Sequence, residues 1–232
     1  MEAVAALSVL FGSIASVVAG FGFALVCSPF LVAAYGAPDG VQINLLVSGI
    51  LSMLLLFSGW EHLDRPSTVR LLVPAALATV ALGIPLRGSD TDGLATVAGG
   101  LCLVGVAVVA FGRPLHRVTT RVGTTLVGLV SGAMNVVAGI SGPPVVMFGA
   151  TIGWAPRVAR TTLQAYFLGI NIVALATLGL PDRVPLVIVL AMVAGLLLGR
   201  PLAERLAPER IRSVGLALAA VGSVLAMVRG VT

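Results

Sequence analysis

The chain contains no lysine, and all fourteen of its basic residues are arginine. That absence excludes P-loop NTPases, whose lysine rests on the phosphates, and retinal or pyridoxal proteins, which need a Schiff-base lysine. Charge of either sign is scarce, at 10% of 232 residues against roughly 25% in a soluble domain. Only two cysteines occur, Cys27 and Cys102, both inside apolar runs, so no disulfide framework is implied. Neither Cys-x-x-Cys nor His-Glu-x-x-His is present. No metal and no other cofactor is therefore expected. Glu61-His62-x-Asp64 reads as a solvated interfacial loop, and Gly20-x-Gly22 lacks the third glycine of a dinucleotide fingerprint. The segment Met1-Glu2-Ala3-Val4 lacks the basic stretch of a secretory signal, so the first apolar run is expected to be retained.

What is there is hydrophobic, at 58% of residues. Apolar runs fall at about 3–34, 41–59, 69–86, 93–111, 122–152, 161–180, 184–199 and 213–228. Most are near the roughly 20 residues that span hydrocarbon. The pattern predicts an all-α polytopic membrane protein. The net charge of +5 comes from arginines in short connections, which points to a cytoplasmic membrane face and a lipid bilayer as partner, with no nucleic acid. Trp60 and Trp154 read as interfacial anchors. The longest polar connection is expected around Arg200 to Arg212.

Runs one and five are about thirty residues long and are broken internally, by Gly20-Phe21-Gly22 with Pro29 and by Gly139-Ile140-Ser141-Gly142-Pro143-Pro144. The breaks stand about 119 residues apart, half the chain, and further pairs recur near that offset. Ala37-Pro38 answers to Ala155-Pro156, and Gly83-x-Pro85-Leu86 to Gly199-x-Pro201-Leu202. Two four-element repeats are expected, 1–116 and 117–232, forming one membrane domain.

Arginine counts choose a topology, because the cytoplasmic side carries the excess. If each run crosses once, the arginines divide equally between the faces. If runs one and five are hairpins, one face holds Arg65, Arg70, Arg113, Arg117, Arg121, Arg157, Arg160, Arg200, Arg205, Arg210 and Arg212, and the other keeps Arg87, Arg183 and Arg229. The bias favours inverted repeats, with broken or re-entrant first helices meeting near the midplane and both termini outside.

Irregular backbone at membrane depth must be buried in protein or line a watery cavity, so the breaks belong inside the bundle. There their free helix N-terminal amides suit an anion, and glycine permits its close approach. All nine carboxylates, including Asp90, Asp92, Glu204 and Glu209, fall in connections or at the terminus, which leaves no proton relay or cation ligand at depth. Neutral donors do lie within the runs. Ser28, Asn44, Asn135, Ser141 and Gln164 are candidate side-chain donors, with Gly20, Phe21, Gly22, Phe23, Pro29, Gly139, Gly142 and Pro143 shaping the backbone site. Ser131 and Asn171 belong to the same inventory, and interhelical hydrogen bonding is the alternative role for such groups. Gly128-x-x-x-Gly132 and Gly195-x-x-x-Gly199 read as helix-packing contacts, and Cys27 as core filler.

The stretch Ala19-Gly20-Phe21-Gly22-Phe23-Ala24-Leu25-Val26-Cys27-Ser28-Pro29-Phe30-Leu31 resembles the first signature of the TauE/SafE sulfite exporter family, and Gly139-Ile140-Ser141-Gly142-Pro143-Pro144-Val145-Val146 resembles the second. Phe23 and Ala24 stand where family members often carry further glycines. The resemblance implies a transporter of sulfite, sulfonates, thiosulfate or related organic anions in the cytoplasmic membrane. An inside-negative potential drives anions outward by roughly 2.3 kcal/mol per charge per 100 mV, so an uncoupled carrier would export. The alternatives are an anion channel through the same constriction and a non-transporting scaffold or assembly protein. A membrane enzyme is disfavoured, since the runs offer no acid–base pair or metal site at depth. A homodimer is compatible with the sequence.

Overall fold

In the computed structural model, residues 1–57, 59–87, 94–112, 119–205 and 208–229 are described. Asp90, Asp92, Arg113, His116, Arg117 and the expected boundary between the halves at 116–117 lie outside the described residues. The described residues form ten α-helices and no strand. They are α1 (Glu2–Ala19), α2 (Phe23–Tyr35), α3 (Ala37–Leu56), α4 (Arg65–Leu86), α5 (Leu94–Phe111), α6 (Arg121–Ala138), α7 (Gly142–Ile152), α8 (Pro156–Leu178), α9 (Leu186–Arg205) and α10 (Pro208–Arg229). A short 3-10 turn, Trp60–His62, precedes α4. Six of the helices, α1, α3, α4, α6, α8 and α9, are long and apolar enough to cross a membrane. The protein is a multi-pass membrane protein, with exposed apolar side chains such as Leu77 and Ile84 on α4 and Leu190 and Leu197 on α9.

Eight apolar runs become ten helices because runs one and five each hold two. Gly20, at φ 82°, ends α1 in the left-handed conformation, and Gly139, at φ 66°, does the same for α6. Only glycine adopts that geometry without cost, so the chain can stop one helix and start the next within three residues. The first break is narrower than its sequence signal: Pro29 lies inside α2, which continues through it. The expected polar connection around Arg200 to Arg212 is likewise mostly helix, since α9 extends to Arg205 and α10 starts at Pro208. Arg, Leu, Ala and Glu are strong helix formers, so the end of an apolar run is not the end of its helix.

At the first break the chain doubles back. Cys27 Sγ donates to the Ser8 carbonyl at 3.2 Å, and Tyr35 at the end of α2 brings its hydroxyl 3.5 Å from the Glu2 carboxylate. Helix α7 likewise lies back against α6, where Ser131 Oγ donates to the Ser141 carbonyl at 2.6 Å. These reversals decide which connections share an end of the bundle. Trp154 Nε1 donates to Asp64 Oδ2 at 3.0 Å and Thr161 Oγ1 to the Gly59 carbonyl at 3.0 Å, so Arg65 and Arg157 stand at one end. Gln42 Nε2 donates to the Leu178 carbonyl at 3.1 Å at the other.

Small residues set the tightest helix contacts. A Cβ on Gly128 would lie 2.6 Å from the Leu71 carbonyl oxygen, and one on Gly132 would collide with Ala75. On the other side, Gly195 and Gly199 receive Leu10, Ser13 and Val17 of α1. Both pairs therefore act in packing, α6 running parallel to α4 and α9 parallel to α1. Two of the core clusters form around these contacts. One joins α1, α2, α3 and α9 around Leu31, Ile43 and Ile188; the other joins α6, α7, α8 and α4 around Val145, Tyr166 and Leu71.

Candidate functional site

The two breaks meet. Phe21, Gly22 and Phe23 from the first and Ile140, Ser141, Gly142 and Pro143 from the second line one cavity, closed by Phe167 of α8 and Val109 of α5. Its free space is about 20 Å³, room for about one water. Gln164 lies eight residues into α8 and Asn44 seven into α3, roughly 12 and 10 Å from the helix starts. The breaks they contact are thus well inside the bundle.

A helix that stops in mid-bundle leaves carbonyls behind it and amides ahead of it without intrahelical partners. Here side chains satisfy several of the carbonyls. Gln164 Nε2 donates to the Gly20 carbonyl at 2.9 Å, and Asn44 Nδ2 donates to the Gly139 carbonyl at 2.9 Å. Ser28 Oγ donates to the Ala138 carbonyl. Ser131 Oγ, which holds the Ser141 carbonyl, accepts in turn from Tyr166 OH at 2.8 Å. Arg160 Nη2 donates to the Val18 carbonyl at 2.8 Å. What remains are amides. The first turn of α2, Phe23 to Leu25, borders the cavity with N–H groups that have no helical acceptor. Gly142 opens α7 on the opposite wall, and Pro143 and Pro144 remove two donors that would follow it.

Of the residues singled out in the sequence, Phe21, Gly22, Phe23, Ser141, Gly142 and Pro143 line the cavity. Gly20, Gly139, Ser28, Asn44 and Gln164 form the ring of carbonyl contacts behind it. Pro29 is buried in α2 away from that lining. Asn135, fully buried, donates to Asn171 Oδ1 at 3.3 Å. Cys27 is also fully buried and faces α1. The sequence reading missed Ser16, Ser48 and Ser52, which add hydroxyls to the cavity wall. Their only signal was position: Ser16 precedes Gly20 by one turn, and Ser48 and Ser52 share a face of α3 at i, i+4 spacing.

Outside the breaks, Asp64 joins α4 to α7's exit. Its carboxylate caps α4 through Ser67 N at 3.1 Å and accepts Trp154 Nε1. Partial burial alone would raise its pKa, but the hydrogen bonds from Ser67 and Trp154 and the charge of Arg70 outweigh it and hold the carboxyl below its ordinary value. Trp60 is half exposed, with the Arg65 guanidinium 5.9 Å from its ring centroid. Glu61 and His62 pair with each other at 3.1 Å in the same turn.

The sulfite exporter TauE/SafE family pattern matches residues 4–227, nearly the whole chain. The chain belongs to that family. The TauE/SafE proteins are membrane transporters and not enzymes, so the cavity between the breaks belongs to a transport protein. No curated protein and no solved structure matches the chain.

Proposed function

We propose that this TauE/SafE protein is a secondary carrier that exports a small anion, sulfite, a sulfonate or another sulfur-containing or organic anion, across the cytoplasmic membrane. The observation that carries the reading is the polarity of the two breaks: their carbonyls are tied to side chains while their amides border a shared cavity. Amides pointed at one spot from two half-helices supply positive potential without a fixed charge. Gly22, Phe23, Ser141 and Gly142 contact the anion in this account, with Ser16, Ser48 and Ser52 as hydroxyl donors. Asn44, Gln164 and Ser28 position the breaks, and Asn135 supports the second break through Asn171.

Alternating access follows from two inverted repeats, 1–116 and 117–232, rocking against each other. Packing supports this. If α1 to α5 correspond in order to α6 to α10, the parallel contact of α1 with α9 becomes that of α6 with α4. The two core clusters exchange in the same way, and the α3–α8 and α5–α10 contacts map onto themselves. A cavity the size of one water is smaller than any of these anions, which fits a closed state that must open toward either face.

Anion-dependent thermal stabilisation of the purified protein tests the reading. Sulfite, thiosulfate and short sulfonates are compared with sulfate and chloride. A bound anion at a hundred times its Kd stabilises by about 2.7 kcal/mol. Gly142→Val should shrink the shift, because a Cβ there makes ordinary contact with Phe167 at 3.6 Å and the larger side chain takes up space in the cavity. An undiminished shift in Gly142→Val, or no shift with any anion in folded protein, contradicts the assignment.

A further inference from the structure

A second, larger hollow opens at the end of the bundle that carries Arg65 and Arg157. Its free space is about 400 Å³, and Gly59, Glu61, His62, Arg157, Arg160 and Thr161 line it. Charge in the hollow is predominantly positive. Arg157 and Arg160 have no carboxylate within 4.0 Å among the described residues, and against these two arginines the lining carries one acid, Glu61. The N-terminus of α8, opened by Pro156, adds the positive end of a helix dipole. Arg160 also joins this hollow to the site between the breaks. Its Nη2 holds the Val18 carbonyl in the last turn of α1, and its Cβ and Cγ lie where a Cβ on Gly20 would come within 3.0 to 3.1 Å. One turn further along α8, Gln164 holds the Gly20 carbonyl itself.

We propose that this hollow is a separate anion-binding station, in which Arg157 and Arg160 receive the small anion at the Arg-rich face before it reaches the cavity between the breaks. Arg160 carries five N–H donors and uses one on Val18, so the guanidinium holds an anion in the hollow and the tip of the first hairpin together. Anion arrival is thereby communicated to Gly20 and to the amides beyond it. The proposal rests on the carrier reading for its ligand class, but the hollow and the inner cavity are lined by different residues.

The chain's two tryptophans provide a readout, since Trp60 lies in the turn that lines the hollow and Trp154 stands two residues before α8. Detergent-solubilised protein is titrated with sulfite and with thiosulfate at constant ionic strength, and tryptophan fluorescence is followed. A saturable change is expected. Its half-saturating concentration rises about tenfold in Arg160→Gln and by a smaller factor in Arg157→Gln, the loss of one charge-assisted contact each. Arg160→Lys keeps the charge and restores part of the affinity. Gly142→Val, which takes up space in the inner cavity, leaves the half-saturating concentration unchanged. Should Arg160→Gln fail to fold for want of its Val18 contact, Arg157→Gln carries the comparison, since Arg157 shows no hydrogen bond or ion pair among the described residues. No fluorescence change with either anion, unchanged affinity in the arginine variants, or loss of the signal in Gly142→Val overturns the station. Anion stabilisation that shrinks in Gly142→Val but persists in the arginine variants would leave the carrier reading standing without it.

Discussion

Gln164 and Asn44 hold the carbonyls of opposite breaks, each reaching across the bundle to a partner distant in sequence, 144 residues for Gln164 and 95 for Asn44. Gln164→Leu leaves the Gly20 carbonyl buried without this donor, which costs about 1–3 kcal/mol. A lowered thermal midpoint in the absence of any anion checks it, and an unchanged midpoint would mean that water replaces the amide. Polar residues inside apolar runs were legible as important, but not their partners, because a side-chain donor looks the same in sequence whether it faces a ligand or a carbonyl. Asp64 supports a pH prediction at the same scale. Its folded pKa is depressed, so its stabilising contribution is complete above the ordinary carboxylate pKa and is lost as pH falls through the depressed value. Asp64→Asn keeps a cap oxygen without the charge. Melting curves of wild type and Asp64→Asn should therefore diverge toward neutral pH, with wild type higher, and converge in acid; parallel curves would show that the carboxylate's charge is immaterial.

Elements here are set by two kinds of glycine that a composition count cannot separate. Gly20 and Gly139 end helices at positive φ, while Gly128, Gly132, Gly195 and Gly199 bring helices together. Spacing told them apart, since the packing glycines recur four residues apart within unbroken runs and the break glycines cluster with proline or with each other. The sequence was less informative about extent. Pro29 was grouped with the first break although α2 runs through it, and the apolar edges of runs seven and eight understated α9 and α10. A proline removes one backbone bond that a buried helix can forgo, and polarity marks the edge of hydrocarbon without marking the end of a helix. Gly132→Val should overpack the α4–α6 contact and destabilise the protein by about 1–3 kcal/mol or more, seen as a lower midpoint or loss of folded yield. A Cβ on Gly142 makes only ordinary contact with Phe167, at 3.6 Å, and Gly142→Val should retain a near-native midpoint. The two substitutions are identical in chemistry, so opposite outcomes would separate packing glycine from cavity glycine.

For the molecule as a whole, the two breaks and their spacing of about 119 residues were legible in the sequence, as was the arginine count that favours hairpins over single crossings. The contact of Asp64 with Trp154 bears on that count, because single crossings would have put Arg65 and Arg157 on opposite faces. Which hydroxyls border the cavity was not legible, since Ser16, Ser48 and Ser52 are brought to it by the crossing of α1 and α3, a property of the assembled bundle. Asp39, at the start of α3, and Arg157, at the start of α8, stand at opposite ends. In a background without Cys27 and Cys102, Asp39→Cys and Arg157→Cys should react with an impermeant thiol reagent from opposite sides of the membrane; labelling from the same side would refute the hairpin topology. The central claim, that amides of the two breaks carry an anion through the bundle, is tested most directly by charge movement in proteoliposomes of wild type and Gly142→Val challenged with sulfite, thiosulfate, short sulfonates and carboxylates, with sulfate and chloride for comparison. The account predicts saturable current with at least one sulfur-containing anion in wild type and less in folded Gly142→Val. Equal currents in the two proteins, or current that never saturates with concentration, would contradict it.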